Sequence, residues 1–343
     1  MKKIGVIFGG KSSEHEISCL SAASVIAAIN KEKFQVITLG ITKGGNWKLY
    51  HGDLQHIADC NWEAMSEDFP IGDLPKTIDF ALPILHGPYG EDGTIQGLFE
   101  MMNIPYGGCG VLGSALAMDK GMAKDIFAKK GLPICKYHVV TAHDIKANKE
   151  RTIDQIEEAI GYDMFVKPAN MGSSVGITKV KTRAQLEEAL LLACQFDRRI
   201  IIEESVDCRD VETGVMGNET PKVCKVGEIV ARNEFYDYTA KYTDDAGTEL
   251  VIPANISEEK TSELQTLALL AYNALDCQGY ARVDFFIERK TDRIYINEIN
   301  TIPGFTKYSM FPTLWRAAGV PFGELIERII ELGYERYNAK NSR

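Results

Sequence analysis

Arg282 and Asp284 stand two apart in the run Ala281-Arg282-Val283-Asp284-Phe285-Phe286. Glu298 and Asn300 stand two apart in a second run that follows a polar turn. Side chains at alternate strand positions point the same way. Arg282, Asp284 and Phe286 therefore share one face, and Glu298 and Asn300 share another. If the two strands pair as a hairpin, two carboxylates and an amide oxygen converge. Hard oxygen donors in that number suit Mg²⁺, which keeps its other positions for water and phosphate oxygens. A solvated strand face shows the same alternation. Thr301-Ile302-Pro303-Gly304-Phe305 shifts the balance toward the cation, because a glycine behind a proline permits close backbone approach to a bound group.

Three further stretches could hold ligands. Lys167-Pro168-Ala169-Asn170-Met171-Gly172-Ser173-Ser174 offers backbone N–H groups, two hydroxyls and a lysine, a set that can cover phosphates. It is not a P-loop, since it leads into a strand, and an ordinary hairpin turn has the same composition. His86-Gly87-Pro88-Tyr89-Gly90-Glu91-Asp92-Gly93 follows a strand, where open α/β sheets bind ligands; a tight turn with one histidine fits equally. Gly9-Gly10-Lys11-Ser12-Ser13-Glu14-His15-Glu16 also follows a strand but lacks dinucleotide spacing. Its acids could simply complement the N-terminus of the next helix.

The elements that position these stretches follow from periodicity. Strands are predicted over 4–8, 34–42 and 79–85, with helices over 17–30 and 93–102. That alternation points to a parallel sheet and an α/β domain. A helix over 118–130, a hairpin of 164–167 with 175–180, a helix over 184–195 and a strand over 200–203 make a small α+β unit. Strands over 211–216, 223–231, 281–287 and 294–298 make an antiparallel sheet, with helices over 258–274 and 322–334. Tyr236 to Thr248 reads as a long surface loop of the kind that forms lids.

Composition excludes several classes. The 343 residues carry a formal net charge of −10, the reverse of the basic surplus that nucleic-acid binding needs. No run approaches a membrane span. The eight cysteines show no CxxC pair and no zinc spacing, so they read as reduced thiols of a cytoplasmic protein.

Four stretches together resemble the D-alanine–D-alanine ligases of the ATP-grasp family: GGKSSEHEIS, LHGPYGEDGTIQG, KPANMGSSVGITKV with YDYTAKY, and GYARVDFF with NEINTIPGFTKYSMFP. They occur in the family's order and span nearly the whole chain. The resemblance implies an ATP-grasp fold with an N-terminal parallel-sheet α/β domain. Its parts would be residues 1–117 for substrate, 118–205 as a small α+β unit, and 206–343 with the loop and the metal site. It implies that ATP phosphorylates the carboxylate of one D-alanine and that a second D-alanine's amine displaces phosphate, for peptidoglycan precursor synthesis.

The same resemblance assigns roles. Asp284, Glu298 and Asn300 would hold two Mg²⁺ ions, with Mn²⁺ able to serve. Lys120, Lys167 and the loop residue Lys241 would meet the phosphates. Glu203 would face the adenine amine, Glu204 and Val206 would complete the hinge, and Phe286 would pack on the base. Asp210 falls at the ribose position, where many relatives carry the longer Glu, and Glu212 is a possible substitute. Arg282 and the Gly304 N–H would form the oxyanion hole. Glu14, Ser173 and Tyr242 match a hydrogen-bonded trio, with Glu14 on the first substrate's ammonium and His86 nearby. Ser309 and Met310 match the second-substrate pocket. The resemblance implies a homodimer. Tyr242 argues against D-lactate as second substrate and leaves D-serine as an alternative. A non-catalytic ATP-binding module is the competing class.

Overall fold

The computed structural model describes residues 1–230 and 249–342. Lys241, Tyr242 and the loop expected over 236–248 lie outside the described residues.

The first sheet is built on β1 (Lys2–Gly9), whose Ile4, Val6, Ile7 and Phe8 are all buried. A continuous apolar run is needed there because both faces are covered. Ile4, Val6 and Phe8 join one core and Ile7 the other. β2 (Phe34–Ile41) and β5 (Phe80–Ile84) flank β1 in parallel. Two strands not foreseen from the sequence, β3 (Trp47–Tyr50) and β4 (Ser66–Asp68), extend the sheet antiparallel, in the order β4-β3-β2-β1-β5. The sheet is therefore mixed. Both added strands are short and lack an apolar run, which hid them. The helix His15–Ala28 covers one face and Thr94–Met101 the other.

The second sheet is antiparallel, in the order β6-β9-β7-β8, from Tyr137–Thr141, Met164–Pro168, Thr178–Val180 and Arg199–Glu204 (β6, β7, β8 and β9). The hairpin strand expected over 175–180 is shorter, because 173–176 is a turn with Ser173 and Ser174 in the left-handed region, at φ 49° and 61°. The helix expected over 118–130 breaks at Asp119, which caps the helix Lys120–Lys129 by accepting from the Met122 N–H at 3.0 Å.

The third sheet is antiparallel, in the order β12-β11-β10-β13-β14. Its strands are Cys208–Met216, Lys222–Val230, Glu249–Val251, Tyr280–Glu288 and Ile294–Asn300 (β10 to β14). The helix Glu258–Ala274 packs on one face. The closing helix runs to Asn341, and its Leu325, Ile326, Ile329 and Ile330 pack with Ile4, Val6 and Phe8 of β1. That core also takes in Tyr280, Phe305 and Phe311, so the first and third sheets are joined by shared apolar packing. Among the described residues no helix is long and apolar enough to cross a membrane.

Candidate active site

β13 and β14 form the hairpin that their spacing predicted, with Arg282 opposite Asn300 and Asp284 opposite Glu298. The register then slips, so that Phe285 faces Ile296 and Asn297 is the extra residue. On the other side Glu212 of β10 faces Asp284 and Asp210 faces Phe286. Glu212, Asp284 and Glu298 thus form one row across three strands.

The charges in this row interlock. Arg282 donates to both oxygens of Asp284 at 2.7 Å, and its Nε lies 2.8 Å from a Glu212 oxygen. Asn300 Nδ2 donates to Asp284 Oδ2 at 2.9 Å. A carboxylate only accepts, so the amide nitrogen must face Asp284 and the Asn300 oxygen is left for a cation. Two carboxylates and an amide oxygen on adjoining strands fit a magnesium ion.

Lys120 reaches this row from the second unit. Its ammonium donates to the Met171 carbonyl at 2.8 Å and sits 3.3 Å from Glu298. The lysine is thereby held between the 170–174 loop and the row of acids. Lys167, Glu203 and Glu204 lie in the second sheet, and Val206 lies just beyond β9. Glu203 is not open to a ligand on both oxygens, as its expected place opposite adenine would suggest. One oxygen pairs with Lys167 and the other with Lys124 at 2.8 Å. Lys124 is 1% exposed and Glu203 3%. Burial pushes the Glu203 carboxyl up, but the two ammonium groups outweigh it and hold it down at about 2. Lys124 was not foreseen, because a lysine on a lysine-rich helix looks like a solvated charge. Glu204 accepts from the Lys136 N–H at 2.7 Å.

Glu14, His86, Ser173, Arg282, Glu298, Asn300, Gly304, Ser309 and Met310 line one small polar cavity. Glu14 sits at the N-cap of the first helix, yet its side chain makes no cap. Its carboxylate instead accepts from Ser173, 159 residues away. Two glycines allow this. A Cβ on Gly87 would come within 2.5 Å of Glu14 Oε2, and one on Gly172 within 2.4 Å. At the opposite side Ser309 Oγ accepts from the Thr306 N–H at 3.0 Å and packs against Gly304.

His86 is buried and its pKa is lowered, chiefly by burial. Its Nδ1 lies 2.8 Å from the Ile302 carbonyl, which can only accept, so Nδ1 carries the proton. Nε2 of the neutral ring then accepts from Ser21 Oγ at 3.0 Å, and Ser21 in turn accepts from the Phe305 N–H at 3.2 Å. Both ring nitrogens are used in fastening the 302–305 segment to the first helix. Glu91 fastens the same segment, accepting from the Gly87 N–H at 2.8 Å and from the Ile302 N–H at 3.0 Å. Neither Ser21 nor Glu91 was singled out in the sequence. On the distant 302–305 segment both hold backbone N–H groups, which leave no residue pattern.

Burial, reinforced by the charge of Glu14, pushes the Glu91 carboxyl up to about 8 despite its two N–H donors. The folded chain therefore keeps a proton there that the unfolded chain has lost above about 4.5. At Glu91 the native state binds more protons in this interval, so the contribution of this carboxyl to stability falls as pH rises from about 4.5 to 8, opposite in sign to that of His86. Glu91→Gln, always neutral, is expected to flatten that decline. Urea midpoints measured across the interval test it, and parallel curves for the two proteins would refute it.

A polar cavity between a mixed α/β unit and two antiparallel sheets, with Lys120 reaching a row of acids, is the arrangement of an ATP-grasp ligase. Family models confirm the class over most of the chain. The D-ala D-ala ligase N-terminus matches residues 3–109 and the D-ala D-ala ligase C-terminus matches 126–331. The chain is 46% identical to the D-alanine--D-alanine ligase of Ruminiclostridium cellulolyticum, covering 98% of this chain and 96% of that one. It is 47% identical to that of Geobacillus kaustophilus, covering 99% and 96%. Among solved structures it is similar to the VanG D-Ala:D-Ser ligase from Enterococcus faecalis, with TM-score 0.87, 36% identity and coverage of 97% and 99%. It is also similar to the D-alanine-D-alanine ligase from Coxiella burnetii, with TM-score 0.86, 30% identity and coverage of 100% and 98%. The chain belongs to the D-alanine–D-alanine ligase family.

Proposed function

We propose that this chain joins two D-alanines into D-alanyl-D-alanine with ATP, through an acyl phosphate, as a step of cell-wall peptidoglycan synthesis. The observation that carries the reading is the single cavity that gathers Glu14, Ser173, Arg282, Gly304 and Ser309 against the Asp284–Glu298–Asn300 row.

Glu14 offers a buried carboxylate for the ammonium of the first D-alanine, with Ser173 fixing its orientation. Arg282 is clamped by Asp284 and Glu212, so its guanidinium is already in place when charge develops on the carbonyl oxygen. The Gly304 N–H, on the segment fastened by His86, Ser21 and Glu91, completes the oxyanion hole. Preorganised donors of this kind contribute most because they need no reorganisation during reaction. Ser309 and Met310 receive the second D-alanine. Lys120 and Lys167 face the phosphates, Phe286 packs on the base, and Glu203, Glu204 and Val206 form the hinge. Asp210 and Glu212 point the same way on β10, and Asp210 falls at the ribose position. The remaining phosphate and substrate contacts are assigned to Lys241 and Tyr242, outside the described residues, on the family resemblance alone. Asp284, Glu298 and Asn300 would hold two Mg²⁺ or Mn²⁺ ions, whose charge neutralises transferring phosphoryl oxygens.

Phosphate release from ATP tests the assignment. D-Alanine alone should support turnover, L-alanine should not, and added D-serine should be a poorer second substrate. A pocket lined by Met310 rejects one extra hydroxyl by only about 100-fold. Comparable turnover of L-alanine would refute the stereochemistry. Preferential formation of the D-alanyl-D-serine product would favour the alternative second substrate.

A further inference from the structure

We propose that His15, Cys19 and Cys60 form a binding site for a thiophilic divalent cation such as Zn²⁺, separate from the ligase cavity. One ring nitrogen of His15 and the sulfurs of Cys19 and Cys60 all lie within 4.8 Å of one another. His15 and Cys19 are four residues apart on the helix His15–Ala28, so both leave the same face. Cys60 arrives from the turn behind the helix Leu54–Ala58, in the left-handed region at φ 56°. That conformation brings its sulfur to 3.3 Å from the sulfur of Cys19. His15 and Cys19 are buried, whereas Cys60 is half-buried and gives a cation its way in.

Distances discriminate between two uses of paired thiols. A disulfide holds its sulfurs about 2.05 Å apart, so these would have to close by roughly 1.2 Å. Two thiolates on a tetrahedral zinc at about 2.3 Å are roughly 3.8 Å apart, so these need only part by roughly 0.5 Å. The cation asks for the smaller movement, and it alone uses the histidine.

The surroundings agree. His15 Nδ1 donates to the Gly10 carbonyl at 2.7 Å, which leaves Nε2 as the ring atom to bind a cation. A backbone carbonyl behind the ring is the usual support of a histidine ligand. Trp62, fully buried, stacks on the His15 ring at 6.4 Å and 16°. Soft sulfur donors with one imidazole select zinc over magnesium. On binding, each thiol gives its proton to solvent as a metal–sulfur bond forms. Three protein ligands leave a fourth position for water on the open side of Cys60. The sequence shows no zinc spacing because the third ligand comes 41 residues after the second.

The test uses the full chain, stripped with a chelator, kept reduced, and supplied with excess Mg²⁺ to fill the oxygen sites. Titration with Co²⁺ should give thiolate-to-cobalt charge-transfer bands and the intense visible bands of tetrahedral coordination, saturating at one equivalent. Zn²⁺ should displace them and raise the unfolding temperature. Cys60→Ser should lose the bands and weaken Zn²⁺ binding by more than the roughly 10–100-fold that loss of an outer partner costs. Cys194→Ser, at an unrelated half-buried thiol, should retain both. Absence of the charge-transfer bands in the parent protein would overturn the proposal. So would bands that survive in Cys60→Ser.

Discussion

Arg282→Ala is expected to lower turnover by about 10²–10³-fold while ATP still binds, the loss typical of one oxyanion donor. The guanidinium is held from two sides, by both oxygens of Asp284 and by Glu212. It therefore costs nothing to orient during reaction. Alanine removes the donor and leaves two acids less compensated, so the variant should also unfold more easily. Calorimetric titration with ATP separates the two effects. Retained nucleotide affinity with little dipeptide product supports the role of Arg282. Near-normal product refutes it, and lost affinity would place the residue in nucleotide binding instead. Arg282→Lys should also fail, because a single ammonium cannot reproduce the forked contact with Asp284.

Lys124→Ala should be the most destabilising single change in the buried Lys124–Glu203–Lys167 cluster, by about 3–5 kcal/mol. The ammonium is 1% exposed and lies 2.8 Å from Glu203, itself 3% exposed. Removing it leaves a buried carboxylate shared with Lys167 alone. The pH dependence gives an independent check. Glu203 is held at about 2 in the folded chain against an ordinary 4.5. A carboxyl with a depressed folded pKa stabilises fully above its unfolded value, and the contribution is lost as pH falls through the folded one. The parent protein should therefore lose stability between about pH 4.5 and 2. Lys124→Ala should lose less there, having less depression to forfeit. Urea unfolding followed at several pH values measures both. A variant as stable as the parent at neutral pH would show that Lys124 is not a required partner of Glu203.

Some of this protein was determined locally. The alternation Arg282, Asp284 and then Glu298, Asn300 specifies two strand faces, because side-chain direction in a strand depends only on position along it. The apolar run of β1 and the glycines behind it likewise specify a buried strand and a tight turn. The four ordered stretches were enough to indicate the ligase family. Tertiary structure decided what those faces meet. The slip at Asn297 is set by pairing with β13, and nothing in the single strand announces it. Glu14 becomes a buried acceptor for Ser173 only when the first and second units close on each other, through glycines that leave room at Gly87 and Gly172. Glu91, Ser21 and His86 fasten the 302–305 segment through backbone groups, which carry no residue identity. Lys124 and Cys60 have ordinary local surroundings, and their meaning depends on groups far along the chain. The physical reason is the same throughout. Local sequence controls backbone conformation and side-chain direction, whereas burial and charge pairing belong to contacts that the chain makes only after it has folded.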